Sequence, residues 1–194
     1  MKKFFYVLMA SIMMLTMASC NRTKTKPVEP VIADAIELNT VLSEDSAMLE
    51  NRACDFLLAS MVLNGNVDTL DVADMKIVEC ATVYQAEDSC YIFRRVLGED
   101  VVKEVYNDRW MECMPMVTEE PKLSVKDALE VIHETNTVLP ASDLVALRRP
   151  LYPPFYEDPM YAFGSIMTGF VYVNANTGEI INFSTALPFG GFAK

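Results

Sequence analysis

Past residue 33 the apolar positions change period several times, and each change predicts an element. Between Ser46 and Leu63, Ala53, Phe56, Leu57, Ser60 and Met61 recur three and four residues apart. That spacing predicts one buried helix face, stopped by Asn64-Gly65-Asn66. Met75 to Tyr84 then reads as a strand, Gln85 to Ser89 as a turn and Cys90 to Val96 as a second strand. Gly98-Glu99-Asp100 turns the chain into Val101 to Tyr106. A last strand is expected over Trp110 to Val117, with Pro115 confining it to an edge. Thr118, Glu119, Glu120 and Pro121 mark a boundary.

The remainder repeats the plan. Leu123 to Glu134 is predicted helical, with Ser124 at the cap, Asp127 three residues on, and Ala128, Leu129, Val131 and Ile132 supplying the buried side. Strands are expected at Leu144–Leu147, Met160–Gly164, Gly169–Asn174 and Glu179–Ser184. Residues 87–93 (EDSCYIF) also align with residues 157–163 (EDPMYAF) at a shift of 70, and Ala73-Asp74-Met75 echoes Ser142-Asp143-Leu144. The expected fold is therefore α+β: two tandem helix-plus-antiparallel-sheet units, residues 33–118 and 121–194, related by duplication.

Upstream, Lys2 and Lys3 precede an apolar stretch, Phe4 to Met17, too short to span a membrane, and Ala18-Ser19 stand before Cys20. This resembles a bacterial lipoprotein signal, which implies removal of residues 1–19 and lipidation of Cys20. Residues 20–32 then form a polar tether kept extended by Pro27 and Pro30. Acidic residues just after the lipidated cysteine resemble a surface-export signal of Bacteroidota lipoproteins. Asn21 to Lys26 has none, so the expected location is the cell envelope, lipid-anchored to the outer membrane and facing the periplasm.

Removing the signal takes away Lys2 and Lys3 and moves the formal net charge from −11 to −13. Such a chain repels phosphate backbones, so no nucleic-acid partner is expected. Cys54, Cys80, Cys90 and Cys113 remain. In an oxidising compartment they permit two disulfides with three pairings, or stand as buried thiols. With no CxxC and His133 the only histidine, no metal site is expected.

Catalytic constellations are equally thin. His133 falls late in a helix beside Glu130 and Glu134, a poor place for a Ser-His or Cys-His pair. Ser165 lies outside a GxSxG elbow. No phosphate loop, cofactor or small-molecule substrate is indicated, and the chain is expected not to be an enzyme. The most unusual stretch is Arg148 to Tyr156, where Arg148, Arg149, Tyr152, Phe155 and Tyr156 ride on a proline-rich backbone. Exposed, these five residues make a recognition loop; turned inward, they make a hairpin connector whose aromatics cover the sheet.

The helix Ser124-Val125-Lys126-Asp127-Ala128-Leu129-Glu130, the Tyr161-Ala162-Phe163 run and the stretch Val171-Tyr172-Val173-Asn174-Ala175-Asn176-Thr177-Gly178-Glu179-Ile180 resemble the PepSY family of extracytoplasmic domains. Asn174 stands where that family has Asp. Gly169 to Val173 followed by Ile180 to Ser184 also resembles the inhibitory propeptides of streptopain-type cysteine proteases. Both resemblances imply a non-catalytic protein that touches peptidases. The expected function is thus a binding module restraining a secreted or periplasmic peptidase; the alternative is a structural accessory subunit of an envelope complex.

Overall fold

Among the described residues, eight strands form one antiparallel sheet. The computed structural model describes residues 35–50, 52–110, 115–116, 121–149, 158–165 and 167–183. In chain order these give α1 (Leu38–Met48), β1 (Asp55–Leu63), a 3-10 turn (Val72–Asp74), β2 (Ile77–Gln85), β3 (Cys90–Val96) and β4 (Val102–Tyr106). Then follow α2 (Val125–Glu134), β5 (Leu144–Arg148), β6 (Met160–Ser165), β7 (Gly169–Asn174) and β8 (Ile180–Phe183).

Local chemistry accounts for much of this. In α2 the Ser124 side chain accepts from the Asp127 N–H while the Asp127 carboxylate accepts from the Ser124 N–H, so two orphan donors of the first turn are satisfied. These bonds also hold the Asp127 carboxyl below its usual range. Stability from this pairing is therefore present above the unfolded carboxyl pKa of about 4 and fades as pH falls through the lower folded value. Val125, Ala128, Leu129 and Ile132 are all buried on one stripe.

At the β7–β8 turn, Asn174 Oδ1 accepts the N–H groups of Asn176 at 2.8 Å and Thr177 at 3.0 Å. Gly178 takes a φ of 75° there, which costs glycine little. The Asn174 amide also donates to Asp158 Oδ2 at 2.9 Å. This bond requires an amide at 174: an aspartate could not donate, and its charge would face Asp158. Asn174→Asp is expected to lower stability at neutral pH by about 1–3 kcal/mol. The facing carboxylates would have raised folded pKa values, so the penalty shrinks as pH falls and one of them is protonated. Urea unfolding at pH 7 and pH 4 checks both the size and the sign.

The helix expected over Ser46–Leu63 is not there. α1 ends at Met48, and Asp55–Leu63 is a strand. β1 is an interior strand between β2 and β5. Ala59, Met61 and Leu63 lie in the core beneath the helices, while Leu57 packs in a separate cluster with Val83 and Ile92. Register shifts at Phe56/Leu58 and Val62/Leu63 break strict alternation further. The run from Phe56 to Leu63 is apolar at every position but Ser60, so its sequence shows no period of two and is easily read as helix, although Ser60 is exposed and Leu58 and Val62 are only half-buried.

The two tandem units are also corrected. The strand order is β4-β3-β2-β1-β5-β6-β7-β8, one continuous sheet joined where β1 pairs with β5 from Leu58↔Arg148 to Val62↔Leu144. One apolar core serves both helices: Leu38 and Val41 of α1 share it with Leu129 and Ile132 of α2, over Met61, Val145, Tyr161 and Phe163. The described residues all fall in a single compact unit. The shift of 70 does not relate equivalent positions either. It aligns β3 with β6, yet β3 is third from the β1–β5 seam and β6 is second. Trp110, Pro115 and Met116, from the expected strand over Trp110–Val117, lie outside any strand. The rest of that stretch is outside the described residues, as are the signal, the tether and the tail after Phe183.

Candidate functional site

β4 stands at one edge of the sheet among the described residues, pairing with β3 from Cys90↔Tyr106 to Arg94↔Val102. Gly98, at φ 84°, turns the chain into it. Along this edge apolar side chains stay in water: Val102 is 53% exposed, Val105 52% and Tyr106 49%, with Val96 and Val101 beside them. By alternation Val102 and Tyr106 share one face with Glu104, while Lys103 and Val105 share the other. Glu104 accepts from Tyr106 Oη at 2.8 Å and pairs with Arg94 at 3.5 Å. Lys103 Nζ donates to the Met48 carbonyl at 3.2 Å, closing the C-terminus of α1, and lies 5.4 Å from the Tyr91 ring centre. The charges here are therefore spoken for inside the molecule, and what the edge offers outward is apolar surface and strand backbone.

A second cluster lies beneath α1. Asp45 is fully buried, and its carboxylate accepts from Thr82 Oγ1, from Tyr84 Oη at 3.0 Å and from Arg95 at 2.6 Å. Arg95 is 7% exposed and reaches Glu44 at 3.3 Å. Cys80 sits directly across the β2–β3 ladder from Arg95. Burial pushes the Cys80 thiol up to about 12, against the pull of Arg95. Burial also raises the Tyr84 hydroxyl, and the Asp45 charge and hydrogen bond add to it. Both therefore keep their protons at neutral pH, and neither is poised as nucleophile or base.

Of the residues singled out from sequence, Arg148 and Arg149 are described; Cys20, Tyr152, Phe155 and Tyr156 lie outside the described residues. Arg148 ends β5. It donates to Tyr172 Oη at 3.1 Å and stacks 5.5 Å from the Phe170 ring centre, on the sheet face opposite the helices. Arg149 donates to the Pro115 carbonyl at 2.7 Å. Both arginines thus bind the protein's own groups. His133 is exposed near the end of α2. Cys54, Cys80 and Cys90 are free thiols, and Cys113 is outside the described residues. No group of three metal-ligating side chains occurs among the described residues. No helix there is long and apolar enough to cross a membrane.

Sequence reading found the β4 strand but not its place at the sheet edge, since pairing order is absent from local pattern. It missed the Asp45 cluster altogether. The available signal was the spacing of Leu38, Val41, Leu42, Asp45, Met48 and Leu49, a helical stripe with a carboxylate at its middle.

No protein-family model matches the chain, and no curated protein matches it. Among solved structures, it is similar to a candidate lipoprotein of Clostridium difficile 630, at 10% identity and a TM-score of 0.47, covering 76% of this chain and 91% of that one. A likeness at that level assigns neither family nor function.

Proposed function

We propose that the chain is a non-catalytic, lipid-anchored binding module of the cell envelope, which takes an extended segment of a protein partner along β4. The observation that carries this reading is the edge itself: Val96, Val101, Val102, Val105 and Tyr106 are exposed together on and beside an outer strand. Edge strands are normally guarded against pairing, and clustered exposed apolar groups mark interaction surfaces. An added strand would be held by backbone hydrogen bonds, with Val102 and Tyr106 gripping its side chains on one face. The signal-like stretch of residues 1–19 directly before Cys20 supports the anchor. The PepSY-like helix and closing hairpin support a peptidase as the partner restrained.

The test uses the chain from Asn21 onward as bait on solubilised envelope and secreted proteins of its own organism. The comparison is the double variant Val102→Asp, Val105→Asp. Both sites are about half exposed on an edge, so stability should change by no more than about 1 kcal/mol. Capture of the specific partner should fall about tenfold or more, as introduced carboxylates oppose strand docking. Equal capture by both forms would refute the β4 site. A captured peptidase whose activity falls on titration supports restraint. Capture of envelope proteins without a peptidase favours the accessory-subunit reading.

A further inference from the structure

The two helices among the described residues are attached to the sheet by different physics. α2 buries Val125, Ala128, Leu129 and Ile132, all apolar, and carries a complete capping box. α1 buries only Leu38, Val41 and Asp45, so the middle of its inward face is a carboxylate. Its N-cap, Glu37, makes no side-chain cap bond, its first turn has no acidic residue and its last turn has no basic one. Its other ties are the packing of Leu42, Met48 and Leu49 against the sheet, a backbone bond from Ile36 to the Ile77 carbonyl at 3.0 Å and the Lys103 bond to Met48.

A buried ion pair adds little net adhesion, because the attraction of Asp45 for Arg95 is offset by the water both charges give up. Arg95 also keeps Nε and Nη1 buried without a partner, so its desolvation is only part-compensated. Lifting α1 returns both charges to water and uncovers two buried apolar side chains of the helix, Leu38 and Val41, together with half-buried Leu42 and Met48 and the flanking Leu49. An isolated helix of this length is marginal in water, so α1 would lift and melt as one unit.

We infer that α1 is a releasable strap: it leaves the sheet as a unit while α2 and the sheet stay folded, uncovering the β2–β3 surface that carries Cys80, Thr82, Tyr84 and Arg95. This holds independently of the β4 binding site.

Cys80 is the reporter. It is 2% exposed beneath α1, and its proton is held at neutral pH, so it reacts with an alkylating agent only when uncovered. The full chain is alkylated under native conditions and read peptide by peptide by mass spectrometry, alongside amide hydrogen exchange. In the wild type, Cys80 and the α1 amides should open about tenfold or more often than the α2 amides, with a weaker urea dependence than α2. In Asp45→Asn the closed state leaves Arg95 without its buried counter-ion, and only the half-exposed Glu44 carboxylate remains near it. Cys80 labelling should rise a further tenfold or so, while α2 exchange changes far less. Wild-type Cys80 and α1 opening only together with α2, at the same urea dependence, would overturn the strap. So would an Asp45→Asn form in which α1 and α2 are loosened equally. Should that variant not fold, the wild-type comparison alone decides.

Discussion

Asp45→Ala is expected to destabilise the folded chain by about 3 kcal/mol or more, the usual consequence of leaving a buried charge without its partner. The carboxylate is fully buried and satisfies three donors, from Thr82, Tyr84 and Arg95. Its loss strands a guanidinium that is 7% exposed, with only half-exposed Glu44 near it at 3.3 Å. The check is urea unfolding followed by far-UV circular dichroism, with the early loss of helical signal assigned to α1. Removing both charges tells a different story. Asp45→Leu with Arg95→Met replaces the pair by apolar volume and should recover most of the loss, because the desolvation of two charges disappears with their attraction. The hydroxyls of Thr82 and Tyr84 would then lack their acceptor, leaving a shortfall of about 1 kcal/mol each. A double variant as unstable as Asp45→Ala would show that something other than the stranded charge sets the loss.

Leu129→Ala should cost about 2–5 kcal/mol, from lost transfer energy and the cavity left behind. Leu129 is 0% exposed on the inward stripe of α2, in the same core as Tyr161 and Phe163 of β6 and Val173 of β7. Nearby, Tyr161 Oη donates to the Leu123 carbonyl at 2.8 Å and pins the approach to the helix. Here the loss should fall on the whole molecule as a lower urea midpoint at unchanged slope, because the core under α2 also includes residues of β1, β2 and β5. A separate early transition of α2, leaving the sheet intact, would contradict a shared core. The two variants thus differ in kind as well as site: one unseats a polar clasp, the other hollows a hydrophobic core that both halves of the chain build.

What could be read of the candidate sites divides along the same line. β4 is legible as a strand because Gly98-Glu99-Asp100 turns into a β-rich run, but its role as an edge depends on which strands pair with which. Arg148 stands out in the sequence for its neighbours in the chain. Its partners proved to be Tyr172 and Phe170, from a strand the local run does not mention.

The sequence alone determined the elements whose cause is local. α2 follows from its apolar stripe and the Ser124–Asp127 box, the β2–β3 hairpin from its turn residues, and the β7–β8 turn from Asn176-Thr177-Gly178, whose glycine is free to take positive φ. Only the tertiary structure decided α1, β1 and the joining of the halves. The inward stripe of α1 contains Asp45, whose burial makes sense only once Thr82, Tyr84 and Arg95 are brought 37 to 50 residues back to meet it. β1 reads as apolar without a period because Phe56, Leu58 and Val62 on its less buried face are as apolar as the core residues Ala59, Met61 and Leu63, and its strand state is set by pairing with β2 and β5. The seam pairs Met61 with Val145, and no local periodicity carries the identity of so distant a partner. Hydrogen bonding between strands is blind to sequence distance, so the single sheet and its shared core arise from long-range closure that the chain's local pattern does not encode.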